Sequence, residues 1–352
     1  MNNLLHTYGW LYYSQRTQTT INLNELGRIR TVNKTSYEVI TNEGILKGEI
    51  TGRLLYAAEP DEMPQTGDWV KIMQFDTQCI ITEILPRYST LARKEAGKTY
   101  DKQIIAVNVD QALIVQGLDR DFNPRRLERM VTVLKDAGII PNILLNKVDL
   151  VNDGDAKIAQ IKSNIPNTPI TTISALNNTG LSELAKLLKA EQTYILIGSS
   201  GAGKSTLINA LMGNNIQATK HTSQAVGKGV HTTTRRELFA LPNGSLIIDT
   251  AGVREFGLAL ENTESIAETF TDISSLAEEC YYQDCTHINE PDCAVLKAID
   301  EGRLSSDLYD SYIKLRNESE HYSTSVQDKK RKGKSLAKVI KNMKRYNIKK
   351  RY

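Results

Sequence analysis

The chain has 352 residues, 40% of them apolar and 24% charged, with a formal net charge of +3 at pH 7. That balance excludes a disordered chain and a membrane-spanning one, and the length exceeds what a single core normally fills, so two or three domains are expected. The charge is unevenly placed: from Asp328 onward twelve lysines and arginines face that one acid, which leaves the rest of the chain net acidic and suggests a polyanionic partner for the tail.

The start, Met1-Asn-Asn-Leu-Leu-His-Thr, lacks the basic and apolar segments of a secretory leader, so a cytoplasmic location with no membrane association is expected. Through about Leu91, short alternating apolar runs are broken by turns: Tyr37-Glu-Val-Ile, Gly48-Glu-Ile-Thr-Gly, Gly67-Asp-Trp-Val-Lys-Ile and Cys79-Ile-Ile-Thr-Glu-Ile. This pattern predicts a small β-barrel over residues 1–91. Its length suits an OB-type fold, although five short strands describe other barrels as well. Cys79, inside one of these runs, reads as a core residue. The polar, basic stretch Tyr88–Lys98 reads as a connector.

A different pattern covers residues 92–260. Apolar runs Ile104-Ile-Ala-Val, Ala112-Leu-Ile-Val, Asn142-Ile-Leu-Leu and Thr193-Tyr-Ile-Leu-Ile alternate with helical segments at Pro124–Ala137 and Leu181–Glu191. Alternating β and α elements predict a doubly wound sheet. Beyond Gly252 strand signals stop, and residues 261–352 read as a helical domain interrupted by a cysteine cluster and ending in the basic tail.

Asn146-Lys147-Val148-Asp149 follows directly on the Asn142 run, at the strand end where an α/β fold places its ligand loops. An aspartate there can accept from both N1–H and the exocyclic amine of guanine, a pair that adenine does not offer. Ser174-Ala175 follows the next strand, as a second base-contacting loop would. Gly198-Ser199-Ser200-Gly201-Ala202-Gly203-Lys204-Ser205, with Thr206 next, is a complete phosphate loop in strand-loop-helix context. Its amides and helix dipole face phosphates, Lys204 adds charge, and the Ser205 hydroxyl suits Mg²⁺.

Gly227–Thr234 and Asp249-Thr-Ala-Gly252 fit the two nucleotide-sensing switches. In the first, Thr233 is the preferred Mg²⁺ ligand, with Thr232 and Thr234 open alternatives. In the second, Asp249 can reach Mg²⁺ through water and the Gly252 amide can sense the γ-phosphate. Val253 cannot orient water. His231 is the nearest group able to hold a proton near neutral pH, though a loop histidine can equally be merely solvated. The order of these pieces, base loops before phosphate loop before switches, is a circular permutation of the usual GTPase order. Finally, Cys280-x₄-Cys285-x-His287-x₅-Cys293 supplies the ligands of a closed, structural zinc site.

Taken together, these motifs resemble the ribosome small-subunit-dependent GTPases, the RsgA family. The similarity rests on Asn146–Asp149 preceding Gly198–Ser205, on His231-Thr-Thr-Thr, and on the Cys280–Cys293 cluster with Glu290-Pro-Asp-Cys-Ala-Val around its end. It implies an OB domain, a permuted G domain and a zinc-bearing helical domain. It also implies GTP hydrolysis stimulated by the 30S subunit and its 16S rRNA late in maturation, a catalytic role for His231, and a hydrophobic residue at Val253. A monomer cycling between GTP and GDP is expected. Ala251, where the family commonly has proline, and Val230, where a polar or basic residue is more usual, depart from the pattern. So does Tyr281-Tyr282 in the zinc loop, in place of a basic-aromatic pair.

Overall fold

The computed structural model describes residues 3–57, 62–94, 102–213, 236–250 and 264–320. These fall into two compact units, one holding the described residues up to 250 and the other residues 264–320.

In the first unit the period-two runs form strands as their alternation requires. β1 (Leu26–Val32), β2 (Tyr37–Ile40), β3 (Ile45–Ile50), β4 (Trp69–Phe75) and β5 (Gln78–Ile84) pair in the order β1-β2-β3-β5-β4, and β1 pairs again with β4. That last ladder closes a five-stranded barrel of OB type. Its interior is filled by Ile29, Val39, Val70, Ile72, Cys79 and Ile81, each almost wholly buried. Burial of each aliphatic side chain contributes about 1.5–3 kcal/mol.

The polar stretch expected to be a connector instead contains β6 (Thr90–Lys94), antiparallel to β7 (Lys102–Val107), with Leu91 opposite Ala106. Leu91 is fully buried, and that burial recruits its basic neighbours into a ladder. The helix Trp10–Thr17 has no counterpart among the sequence expectations. Trp10 and Tyr13 pack their rings 5.1 and 5.4 Å from that of Trp69, fastening the helix to the barrel.

The nucleotide half is the doubly wound sheet that the alternation implied. β8 (Gln111–Gly117), β9 (Ile140–Asn146), β10 (Ile170–Thr172), β11 (Thr193–Ile197) and β13 (Leu246–Asp249) lie parallel in the order β10-β9-β8-β11-β13, and β12 (Glu237–Ala240) is antiparallel to β13. The helix Pro124–Asp136 starts sharply because Asn123 accepts from the Arg126 amide at 3.1 Å and Pro124 occupies the first turn. The helix at Leu181 ends at Leu187, short of the expected Glu191. Leu188 turns extended, its amide bonds the Leu184 carbonyl, and the Tyr194 hydroxyl accepts from the Lys189 amide at 3.0 Å. The chain runs from β8 outward to β10 and then returns to β11 on the other side of β8, so the topological switch point lies between β8 and β11.

One sheet joins both halves of this unit, through β1 and β12 at Thr31 and Glu237. Arg30 bridges to Glu237 at 2.5 Å across that seam. Beneath it the buried Arg28 donates to the Thr193 hydroxyl at 2.8 Å and to the Tyr8 carbonyl at 2.5 Å. Burial lowers the Arg28 pKa, and Asp110 and Asp68 oppose that shift. Asp110 in turn bonds Arg16 at 2.7 Å and the Thr193 amide at 2.8 Å. The strand that leads into the phosphate loop is therefore anchored, at its far end, to the barrel and the N-terminal helix.

The second unit is helical over its described residues: Glu264–Thr269, Thr271–Glu278, Ala294–Asp300 and a helix over 306–320. Ile266, Phe270, Ile273, Val295 and Leu308 form its apolar interior. No helix among the described residues is long and apolar enough to cross a membrane.

Candidate nucleotide site and cysteine–histidine centre

Three of the motifs meet at the carboxyl ends of β9, β10 and β11. The buried Asn146, last residue of β9, donates from Nδ2 to the Ala202 carbonyl of the phosphate loop at 2.8 Å and accepts at Oδ1 from the Ala175 amide at 3.0 Å. One side chain thus ties both base loops to the phosphate loop. Lys147 takes a left-handed conformation, φ 66°, which turns the chain into the short 3₁₀ segment Val148–Leu150 and leaves Asp149 exposed. The buried Ser174 hydroxyl accepts from the Asn177 amide at 3.2 Å and shapes the second base loop.

Two phosphate-loop glycines are required by space as well as by backbone angle. At Gly198, φ 149°, a Cβ would lie 2.1 Å from the Val115 carbonyl oxygen, and at Gly203, φ 101°, one would lie 2.2 Å from Asn146 Nδ2. Any side chain there would push the loop off β8 or off Asn146. Lys204 Nζ donates to the carbonyls of Gly198 and, at 2.7 Å, of Ser199, crossing the loop from its helix end. Ser205 and Thr206 are exposed in the first turn of the helix Lys204–Met212, where backbone amides point outward. Ser200 and Gly201 form the exposed tip. Asp249 ends β13, and Thr250 beyond it donates its hydroxyl to the Leu196 carbonyl at 2.6 Å.

In the second unit Cys280, Cys285, His287 and Cys293 gather their ligand atoms within 4.8 Å of one another. Cys280 Sγ lies 3.8 Å from Cys293 Sγ, and His287 Nδ1 lies 3.6 and 3.5 Å from those two sulfurs. A tetrahedral zinc ion at ordinary bond lengths needs edges of roughly 3.75 Å between sulfurs and 3.55 Å from sulfur to nitrogen, so the spacing fits that metal. Burial, with Arg316 nearby, lowers the His287 pKa and keeps the imidazole in its neutral, ligating form. The loop is shaped by Glu290, which accepts from the amides of Thr286, Ile288 and Asn289 at 3.0, 2.9 and 3.1 Å and from the Thr286 hydroxyl. These donors, the Thr286 hydroxyl foremost, bring the Glu290 carboxyl down to about 2. Tyr309 donates to the His287 carbonyl at 2.7 Å and Arg316 to the Thr286 carbonyl at 2.6 Å, pinning the same turn from the 306–320 helix.

The RsgA GTPase family model matches residues 84–259, and the small ribosomal subunit biogenesis GTPase RsgA 1 of Bacteroides thetaiotaomicron is 42% identical over 98% of both chains. The chain belongs to the RsgA GTPase family. The RsgA of Leptospira interrogans is 39% identical over 96% of each chain. The crystal structure of YjeQ from Thermotoga maritima covers 84% of this chain and 98% of its own, with a TM-score of 0.62 at 23% identity. That of YloQ, a circularly permuted GTPase, covers 86% and 98% with a TM-score of 0.59 at 22% identity. These two share the fold, with its permuted order of base and phosphate loops. An ABC transporter model also matches residues 181–350, a stretch that contains the phosphate loop.

Several residues singled out in this RsgA-family sequence lie outside the described residues: His231, Thr232, Thr233 and Thr234, with Val230, and Ala251, Gly252 and Val253, as well as the tail from Asp328. Conversely, no motif in the sequence marks the loop after β8. Asp119 bonds Lys147 at 2.8 Å, and Asp121 accepts from the Ser199 hydroxyl of the phosphate loop. The available signal was their place, just past a buried strand that neighbours the phosphate-loop strand.

Proposed function

We propose that this protein hydrolyses GTP to GDP and phosphate while bound to the 30S ribosomal subunit, as a step late in small-subunit maturation, in contact with 16S rRNA. The observation that carries this reading is the Asn146 side chain, which joins the two base loops to the phosphate loop. A site that reads guanine and grips a triphosphate needs those two halves at one fixed separation. The names of the relatives, small ribosomal subunit biogenesis GTPases, supply the subunit as partner. The basic tail supplies a means of holding rRNA phosphates.

In this reading Asp149, exposed beyond β9, accepts from guanine N1–H and the exocyclic amine, while Ser174 and Ala175 close the other edge of the base. Amides of Ser199 to Ser205 and the Lys204 ammonium bind the phosphates. Ser205 and Thr233 would hold the accompanying Mg²⁺, with Asp249 reaching it through water, and the ion would supply positive charge to offset that of the triphosphate. Gly252 senses the γ-phosphate, and His231 orients or holds a proton on the attacking water. Cys280, Cys285, His287 and Cys293 hold one structural zinc. We place the domain boundaries at 1–91, 92–260 and 261–352, and the protein in the cytoplasm as a monomer.

GTP turnover is expected to be slow for the isolated protein and to rise about tenfold or more with purified 30S subunits, a barrier change of about 1.4 kcal/mol. Equal rates at saturating nucleotide would remove the subunit from the reading. Asp149→Asn is expected to weaken GTP binding at least about tenfold, the scale of a lost charge-assisted contact, and to improve binding of xanthosine triphosphate. A variant with unchanged selectivity between the two in competition titrations would sink the guanine assignment.

A further inference from the structure

The loop after β8 stands at the topological switch point, between the two halves of the nucleotide site, and touches both. On one side Asp119 Oδ2 accepts from Lys147 Nζ at 2.8 Å, and the Leu118 amide donates to the Asn146 carbonyl at 3.0 Å. On the other, Asp121 Oδ2 accepts from the Ser199 hydroxyl. The two carboxylates share one tight turn, in which the Asp121 amide donates to Asp119 Oδ1 at 3.3 Å and the Phe122 amide to the Asp119 carbonyl at 2.9 Å.

This turn is fixed from behind. Arg126 bonds Asp121 Oδ2 at 2.9 Å and the Asp121 carbonyl at 2.6 Å, and the buried Gln116 donates to that carbonyl at 2.7 Å while accepting from Arg126 at 2.9 Å. A carboxylate so close to an anion-binding loop would repel phosphate if it were uncompensated. Here Arg126 pairs with it, and it accepts from Ser199 and not from the ligand side. Lys147 likewise holds the Asp119 carboxyl below its ordinary range.

We propose that Asp119 and Asp121 are positioning residues for nucleotide binding. Asp121 holds the phosphate loop through Ser199, Asp119 holds the base-reading loop through Lys147, and their common turn sets the separation of the two loops. The inference rests on the guanine-nucleotide reading and adds to it a brace that lies outside every motif of the sequence. Asn146 links the loops by direct contact. The aspartate turn constrains each of them independently, from the β8 side, so the two ties resist different distortions.

The test is a pair of double-mutant cycles on the full chain, read by titration with fluorescent GDP. Asp121→Ala is expected to raise the GDP dissociation constant about tenfold, and the double variant with Ser199→Ala to bind no more weakly than the worse single variant. Asp121→Asn, which can still accept from Ser199, is expected to recover binding to within about threefold of the parent. The cycle of Asp119→Ala with Lys147→Ala is expected to be non-additive in the same way. Thermal unfolding, followed on each variant, separates a loss of fold from a loss of positioning. Folded single variants with unchanged affinity, or losses that simply add in both cycles, would overturn the inference while leaving the guanine reading intact. A parent protein that binds GDP no better than ADP would overturn both.

Discussion

Cys285→Ala is expected to lose bound zinc, from about one ion per chain to near none after dialysis, and to loosen the second unit. The described helices around the cluster span only six, eight and seven residues before the 306–320 helix. Helices this short are marginal without tertiary support, and a core of this size leaves little stability to spare. Structural zinc contributes about 10–16 kcal/mol of apparent binding free energy in small zinc domains, and in such domains binding and folding are one process. Removing one thiolate from Cys280, Cys285, His287 and Cys293 opens the tetrahedron, so the loss should be large. Metal analysis together with limited proteolysis checks it: cleavage should appear within residues 264–320, while GDP affinity stays within about twofold because the described nucleotide loops lie in the first unit. A variant that retains one zinc and resists protease as the parent does would rule out the four-ligand assignment.

Asp68→Ala is expected to cost the first unit about 3–5 kcal/mol. Asp68 is fully buried and accepts twice from Arg87, at 2.8 Å from Nε and 2.7 Å from Nη2, as well as from the Gln65 amide at 2.7 Å. This fork staples the turn before β4 to the segment that leaves β5 toward β6. Truncation takes the Asp68 carboxylate from the largely buried Arg87 guanidinium, which keeps the Met63 carbonyl at 2.9 Å among its acceptors, and takes the acceptor from the Gln65 amide. Removing one member of a buried ion pair is far costlier than the pair is stabilising, since the remaining charge stays desolvated. Urea unfolding followed by tryptophan fluorescence reads the effect well, because Trp10 and Trp69 pack together in this same region. A first-transition midpoint equal to that of the parent would mean that the remaining acceptors of Arg87, the Met63 carbonyl among them, compensate it.

These two sites differ in how plainly the sequence announces them. The three cysteines and the histidine proposed to hold zinc fall within fourteen residues at a metal-binding spacing, and the phosphate loop and Asn146–Asp149 are likewise short strings whose chemistry is local. Their surroundings were also legible, because β2, β8, β9 and β11 are apolar runs of strand length bounded by polar turns. Asp68 with Arg87, and Asp121 with Ser199, are polar residues in loops. Nothing in the residues beside Asp68, Arg87 or Asp121 marks these pairings, because the partners lie 19 and 78 residues apart and the pairing exists only once the strands are stacked. The helix Trp10–Thr17 escaped notice for a related reason. It is short, and its aromatic face becomes a buried face only against Trp69 of the barrel.

By itself, then, the sequence determined the kinds of element, the permuted order of the nucleotide motifs and the grouping of Cys280, Cys285, His287 and Cys293, since all of these depend on periodicity and spacing over a few residues. Tertiary structure alone decided that barrel and nucleotide sheet share one ladder through β1 and β12, that the polar stretch after Ser89 pairs as β6, and that the loop after β8 reaches both Lys147 and Ser199. The physical reason is that unsatisfied backbone edges and charged side chains carry no preference for a particular distant partner until packing removes water and makes a missing partner costly.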